Sequence, residues 1–284
     1  MKHTVTLSNG ASVPALGQGT WYLGDAPESY DREVEALRAG IEAGLTLLDT
    51  AENYGDGRAE RLVGEAIRPY DRADLFLVSK VMPSNAYGTQ LMKSLDRSLA
   101  HLGTDYLDLY LYHWRGSRPL GEMVAAMEEA RAAGKIRAWG VSNLDTADME
   151  ELWQIPGGTH CAVNQVLYHA GSRGIDYSLL PWMRAHHVAL MAYCPLAQVG
   201  RLGCDLLGSR VIAEIAAKYG ATPAQVALAW AIRDGNTIAI PRTGRKEHAV
   251  SNAGADALDL TAEDCAVIDR AFPPPTRKEP LHIE

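Results

Sequence analysis

Short apolar runs alternate with longer stretches of helical periodicity along almost the whole chain. Runs rich in Val, Ile, Leu and Tyr read as strands at Ala15–Thr20, Leu45–Asp49, Leu75–Lys80, Leu107–His113, Ile136–Ser142, Ala162–Gln165, Val188–Tyr193 and Thr237–Pro241. Helical spacing follows at Asp31–Ala43, Arg58–Ile67, Gly88–His101, Leu120–Ala133, Ala147–Trp153, Tyr177–His186, Ser209–Tyr219 with Pro223–Arg233, and Lys246–Ala255. Gly44, Gly103, Gly134 and Gly220 stand where helices should stop, and Thr222-Pro223 is an N-cap followed by a first-turn proline. Strand–helix alternation implies parallel pairing through right-handed crossovers. Eight such units in 284 residues fit the count and length of a (β/α)8 TIM barrel. The rival, a doubly wound sheet, wants a glycine-rich phosphate loop after its first strand. "GQGTWYLG", from Gly17 to Gly24, has the wrong spacing for G-x-G-x-x-G.

Before the alternation, "HTVTLSNGASVPAL" switches between apolar and polar residues on both sides of Asn9-Gly10, a two-residue hairpin signal. The expectation is therefore an α/β chain, a TIM barrel with an N-terminal β-hairpin, forming one domain over residues 1–284. No linker or composition break interrupts it. The end, "FPPPTRKEPLHIE", reads as irregular because consecutive prolines exclude a helix. The stretch Cys194–Gly208 is long for a strand-to-helix loop and reads as a binding loop.

A formal charge of −8 argues against broad nucleic-acid binding. Four cysteines without a C-x-x-C suggest neither a disulfide framework nor a metal site, and thiols in a reducing compartment are expected. "MKHTVTLSNG" has no apolar signal-peptide core, and no apolar run is long enough for a membrane span. These points set the expectation of a soluble cytoplasmic protein without membrane or nucleic-acid partners. No exposed apolar stripe asks for a second subunit, so a monomer is expected.

In a barrel, functional side chains gather at the C-terminal ends of the strands. Here the apolar runs end on Asp49, Lys80, His113, Ser142-Asn143, Gln165, Tyr193 and Pro241-Arg242, in chain order. Any one of these alone is an ordinary strand end; together they line one rim. Adjacent strands bring Asp49, Lys80 and His113 side by side, with Tyr54 on the loop above. A phenol has a pKa near ~10 and is a weak acid at neutral pH; a nearby ammonium lowers that pKa. Asp49 supplies the counter-charge that keeps Lys80 protonated. A neutral His113 donates one N–H to a substrate oxygen. The set is a proton donor with an orienting group, suited to a carbonyl oxygen becoming an alkoxide.

Asp49 and Tyr54 in "DTAENYGDG", Lys80 in "FLVSK" and His113 in "LYLYHW" resemble the catalytic tetrad of the aldo-keto reductases. "GKIRAWGVSN", "VNQVLYH", "MAYCPLA" and "IAIPRTG" resemble further signature segments of that family, in the same order, over about Val5 to Asn252. The opening "LGQGTWYLG" and the stretches "ADMEELWQIPGG" and "HAGSRGIDYSLLPW" are similar to the bacterial branch that reduces small aldehydes such as methylglyoxal.

The resemblance implies an NADPH-dependent reductase of small aldehydes and ketones, with NADH a weaker cofactor and Tyr54 the general acid. It implies that Tyr193 stacks on the nicotinamide ring and that Ser142, Asn143 and Gln165 bond its carboxamide. The loop carrying Cys194, Leu196 and Gln198, with Arg201, would close over the pyrophosphate. Arg242 and Thr243 would hold the 2′-phosphate and Asn252 would face adenine. Trp21 would serve cofactor and substrate, with Met82 and Trp114 completing a small-aldehyde pocket around Tyr54 and His113. The family commonly has lysine at Arg242, often arginine at His248 and often an acid at Ser251. The short C-terminal tail implies an open pocket. Two other classes stand beside this reading: a non-catalytic NADP-binding redox sensor, and a Schiff-base lyase with Lys80 as nucleophile.

Overall fold

The computed structural model describes residues 1–197 and 205–283. Strands β1 (Thr4–Thr6) and β2 (Ser12–Pro14) form an antiparallel hairpin whose Val5 and Val13 face each other and are buried. Its loop differs from the expected two-residue turn. Leu7 N–H donates to Ala11 O, so Ser8-Asn9-Gly10 forms a three-residue connection with Gly10 at φ 86°. Glycine at a left-handed position is what that longer loop requires.

The barrel strands follow: β3 (Gln18–Gly19), β4 (Leu47–Asp49), β5 (Phe76–Val81), β6 (Leu107–Tyr112), β7 (Ile136–Ser142), β8 (Cys161–Leu167), β9 (Ala189–Tyr193) and β10 (Thr237–Ala239). They pair in parallel in chain order, and bridges Leu16↔Ala239 and Gly19↔Arg242 join the first strand to the last. The expected (β/α)8 architecture is present. The first and last strands are shorter than expected, their pairing reduced to isolated bridges at the seam. A Cβ on Gly19 would lie 2.9 Å from Ile240 O, so closure there needs glycine.

The helices are α1 (Tyr30–Glu42), α2 (Arg58–Ile67), α3 (Gly88–Leu102), α4 (Leu120–Ala132), α5 (Thr146–Trp153), α6 (Leu179–Ala185), α7 (Arg210–Tyr219), α8 (Pro223–Ile232), α9 (Lys246–Ala253) and α10 (Ala262–Ala271). Gly103 and Gly220 end α3 and α7 in left-handed conformation, as expected. Thr222 caps α8 with a capping box through Gln225. Helix α10 has no counterpart in the sequence reading: only Ile268 and Asp264 are buried along it, too few for an apolar stripe. Its capping box, Thr261 with Asp264, was the available signal.

Strand alternation aims the site. Successive residues of a strand point to opposite faces. On β5, Ser79 Oγ donates to Glu60 Oε1 on α2 at 2.7 Å, so Ser79 faces the helical layer. Its neighbour Lys80 therefore faces the barrel interior. No helix among the described residues is long and apolar enough to cross a membrane.

Candidate active site

Lys80 is fully buried, and its Nζ donates to Asp49 Oδ2 at 2.7 Å, Thr50 O at 2.9 Å and Tyr54 Oη at 3.1 Å. Three acceptors use the three N–H groups of an ammonium. Desolvation works against that charge, yet Asp49 and Tyr54 outweigh it and hold the Lys80 pKa above its ordinary value. Burial raises the Asp49 pKa, opposed by Lys80 and by Gln165 Nε2, which donates to Asp49 Oδ1 at 2.8 Å. The two directions favour opposite charge states; the hydrogen-bond geometry decides for the ion pair. A lysine held this way is no Schiff-base nucleophile, which needs a neutral amine.

The Tyr54 phenol differs from the sequence expectation. Lys80 lowers its pKa, but burial is the larger effect and the net direction is upward from 10.0. Because Tyr54 Oη accepts from Lys80, its own proton is left to point elsewhere. The His113 ring lies 5.7 Å from the Tyr54 ring, centroid to centroid. Burial and the Lys80 charge push its pKa well below 6.5, so the imidazole is neutral. His113 Nδ1 is buried without a hydrogen-bond partner among the described residues.

Asp49, Tyr54 and His113 floor a cleft of about 890 Å³, with Lys80 buried outside its lining. Asp49, Tyr54, His113, Ser142, Asn143, Gln165, Tyr193, Cys194, Leu196, Trp21, Trp114 and Arg242 line it. Tyr193 Oη donates to Asn143 Oδ1 at 3.0 Å, and Ser142 Oγ donates to Gln165 O at 2.8 Å. Asn143 adopts φ 57° and caps no helix; Asp145 caps α5 instead. Arg242 is exposed at the rim, its Nε donating to Trp21 O at 2.8 Å.

Other expected residues fall elsewhere. Met82 is not among the lining residues, and its backbone N–H is bound by Glu52. Thr243 follows Arg242 and accepts from Arg245 N–H at 3.1 Å, while Asn252 is buried on α9. Gln198 and Arg201 lie outside the described residues. The structure adds Tyr22, Asn53, Arg115 and Ile283 to the lining. Tyr22 stacks on Trp21 at 4.4 Å. Ile283, itself exposed, brings the tail back to the edge of the cleft. The tail is tied down by Lys278, paired with Asp145, and by His282 Nδ1 2.7 Å from Ser172 Oγ. No local sequence signal marks that return.

A model of the aldo/keto reductase family matches residues 15–272. The chain belongs to that family. The methylglyoxal reductase YeaE of Escherichia coli (strain K12) is 53% identical over 279 residues, 98% of each chain. The glyoxal reductase of Bacillus subtilis (strain 168) is 32% identical over 271 residues, 95% of this chain and 92% of that one. A crystal structure of an aldo/keto reductase from Klebsiella pneumoniae, in complex with NADP and acetate, has a TM-score of 0.96 at 52% identity and covers 100% of both chains. The barrel and the Asp49–Lys80–Tyr54–His113 cluster thus sit in a chain whose match to these reductases spans nearly all of their length.

Proposed function

We propose that this chain is an NADPH-dependent reductase of small aldehydes and ketones, methylglyoxal-like 2-oxoaldehydes among them, with Tyr54 as general acid. The observation that carries this is the buried Asp49–Lys80–Tyr54 chain of hydrogen bonds, with neutral His113 beside it at the floor of one cleft. The named activities of the E. coli and B. subtilis relatives and the NADP in the Klebsiella structure support it.

The cleft fits a nicotinamide cofactor. Among the described residues Asn143 Nδ2 donates to Ser142 Oγ at 3.2 Å and, weakly, to His113 O at 3.4 Å, so it can turn to an incoming carboxamide. The neighbouring Tyr193 ring offers a flat face with a polar tip. Exposed Arg242 suits a phosphate at the rim, since guanidinium forks onto phosphate oxygens. Leu196 and Cys194 complete the wall. Thr243 and Asn252 would serve the adenosine end. When bound, NADPH supplies a hydride to the carbonyl carbon.

The chain's residues handle the proton. A carbonyl oxygen between Tyr54 and His113 receives a hydrogen bond from each, which favours the alkoxide as it develops. Tyr54 then gives its proton to that oxygen. The phenolate left behind is met by the Lys80 ammonium already 3.1 Å away, and Asp49 holds that ammonium in place. Trp21, Trp114 and Ile283 bound a pocket for small substrates.

The test has two parts. NADPH should quench intrinsic tryptophan fluorescence more strongly than NADH at equal concentration, and methylglyoxal should then consume reduced-nicotinamide absorbance. Tyr54→Phe should lose on the order of 10²–10⁴ in turnover while still binding NADPH. Turnover surviving in Tyr54→Phe would remove the acid assignment.

A further inference from the structure

One buried carboxylate ties the turn carrying Tyr54 to the strand carrying Lys80, and neither proton transfer nor cofactor binding uses it. Glu52 stands two residues before Tyr54, with its side chain 2% exposed. Its Oε1 accepts from the Met82 backbone N–H at 2.7 Å and from Asn85 Nδ2 at 2.9 Å. Its Oε2 accepts from Arg97 Nη2 on α3 at 2.7 Å. Its own backbone N–H donates to Lys80 O at 3.2 Å. Glu52 therefore grips the chain at residue 80 and at residue 82.

We propose that Glu52 is a positioning residue for the reaction: its grip on the chain at Lys80 and just beyond it, at Met82, sets the Tyr54 Oη–Lys80 Nζ contact. This rests on the reductase reading, in which Tyr54 is the acid. The segment before Tyr54 is also held to β5 by Thr50 N–H to Val78 O at 2.9 Å and by Lys80 Nζ, while Tyr54 N–H to Ala51 O at 3.1 Å closes the turn on itself. A buried carboxylate is costly unless its oxygens are satisfied. Here three donors from the segment after β5 and from α3 satisfy it, which a packing role alone does not require. The charges acting most on Tyr54 are those of Lys80 and Asp49, so Glu52 sets distance rather than field.

Two variants separate reach from charge. Glu52→Gln keeps the length and an oxygen for the Met82 N–H and Asn85, and gives up only the contact with Arg97, whose exposed side chain turns to solvent. Glu52→Asp keeps the charge but withdraws it by one methylene, so it cannot reach the Met82 N–H. Methylglyoxal turnover, NADPH binding by fluorescence, and the pH profile of alcohol oxidation are compared with wild type. Glu52→Asp should lose about tenfold in kcat, as a displaced catalytic group does, with NADPH binding unchanged. Its alkaline rise in oxidation should move to higher pH, because Tyr54 loses part of the ammonium's pull. Glu52→Gln should match wild type in all three. Wild-type behaviour of Glu52→Asp, an equal loss in Glu52→Gln, or a kcat loss with an unmoved pH profile would overturn the proposal. A wild-type protein that reduces no small aldehyde overturns the parent reading, and the clamp's catalytic role with it.

Discussion

Lys80 Nζ donates to Tyr54 Oη at 3.1 Å, and yet the Tyr54 phenol stands above its ordinary pKa of 10.0. Burial is the larger influence, and the ammonium only moderates it. The consequence is directional. A donor that stays protonated throughout the neutral range suits reduction. The reverse reaction needs phenolate, which is scarce below that pKa.

This relationship predicts opposite pH profiles for the two directions. Reduction needs the protonated phenol, so activity is full below the Tyr54 pKa and lost only as pH rises through it. The kcat for methylglyoxal reduction should be flat from about pH 6 to about pH 9. Oxidation of the matching alcohol should rise about tenfold per pH unit over that range. His113 adds no acid limb there, since it is already neutral well below 6.5. Steady-state rates with a pH-independent substrate would check this; a reduction profile falling near neutrality would place Tyr54 below its ordinary pKa.

The buried pair separates stability from catalysis. Lys80→Met leaves Asp49 buried with Gln165 as its remaining polar partner, and breaking a buried pair in this way costs about 3–5 kcal/mol. Turnover should fall and the thermal midpoint with it. The double variant Lys80→Met with Asp49→Asn removes both charges and keeps an oxygen for Gln165 Nε2. It should recover most of the stability by thermal melting while remaining inactive. A double variant as unstable as the single would mean that the lost stability lies in packing of the lysine stem.

The proposed catalytic set was legible in the sequence because strand ends carry it: Asp49, Lys80 and His113 close apolar runs, and Tyr54 follows the first of them by five positions. Ser142, Asn143, Gln165 and Tyr193 were legible for the same reason, and all line the cleft. Residues that reach the site from elsewhere were not. Ile283 arrives through a tail whose attachment depends on Lys278 and His282 meeting distant loops, which local pattern cannot encode. Met82, which the family resemblance implies for the pocket, is not among the lining residues, and its backbone N–H donates to Glu52 Oε1. The sign of the Tyr54 shift was also hidden, since burial depends on what packs around the ring.

Arg242 offers the clearest test of cofactor choice. One of its N–H groups is used by Trp21 O at 2.8 Å, and the exposed guanidinium has donors left for a phosphate. A charge-assisted contact of about 1.5–3 kcal/mol corresponds to roughly ten- to hundredfold in binding. Arg242→Ala should weaken NADPH by that factor in fluorescence titration and change NADH little. It should also raise KM for aldehyde modestly, because Trp21 loses its anchor. Equal weakening of both cofactors would remove the 2′-phosphate role.

Acid should loosen the fold on the side of the barrel where the tail docks. His169, just beyond β8, is 1% exposed, and its Nδ1 accepts from Gly171 N–H at 3.1 Å. Its Nε2 is buried without a hydrogen-bond partner among the described residues. Burial, with His282 adding to it, pushes its pKa down from 6.5 to about 4. The unfolded chain therefore takes up a proton below pH 6.5 that the folded chain refuses. Stability from this group is full above 6.5 and is lost as pH falls toward about 4, a loss of about 3 kcal/mol. His113, whose pKa is also well below 6.5, acts in the same direction. The thermal midpoint should drop steadily across that window. His169→Asn keeps an acceptor for Gly171 but cannot be protonated. It should be somewhat less stable at neutral pH and lose less on acidification. A slope as steep as wild type would assign the acid sensitivity to His113 or to the carboxylates instead.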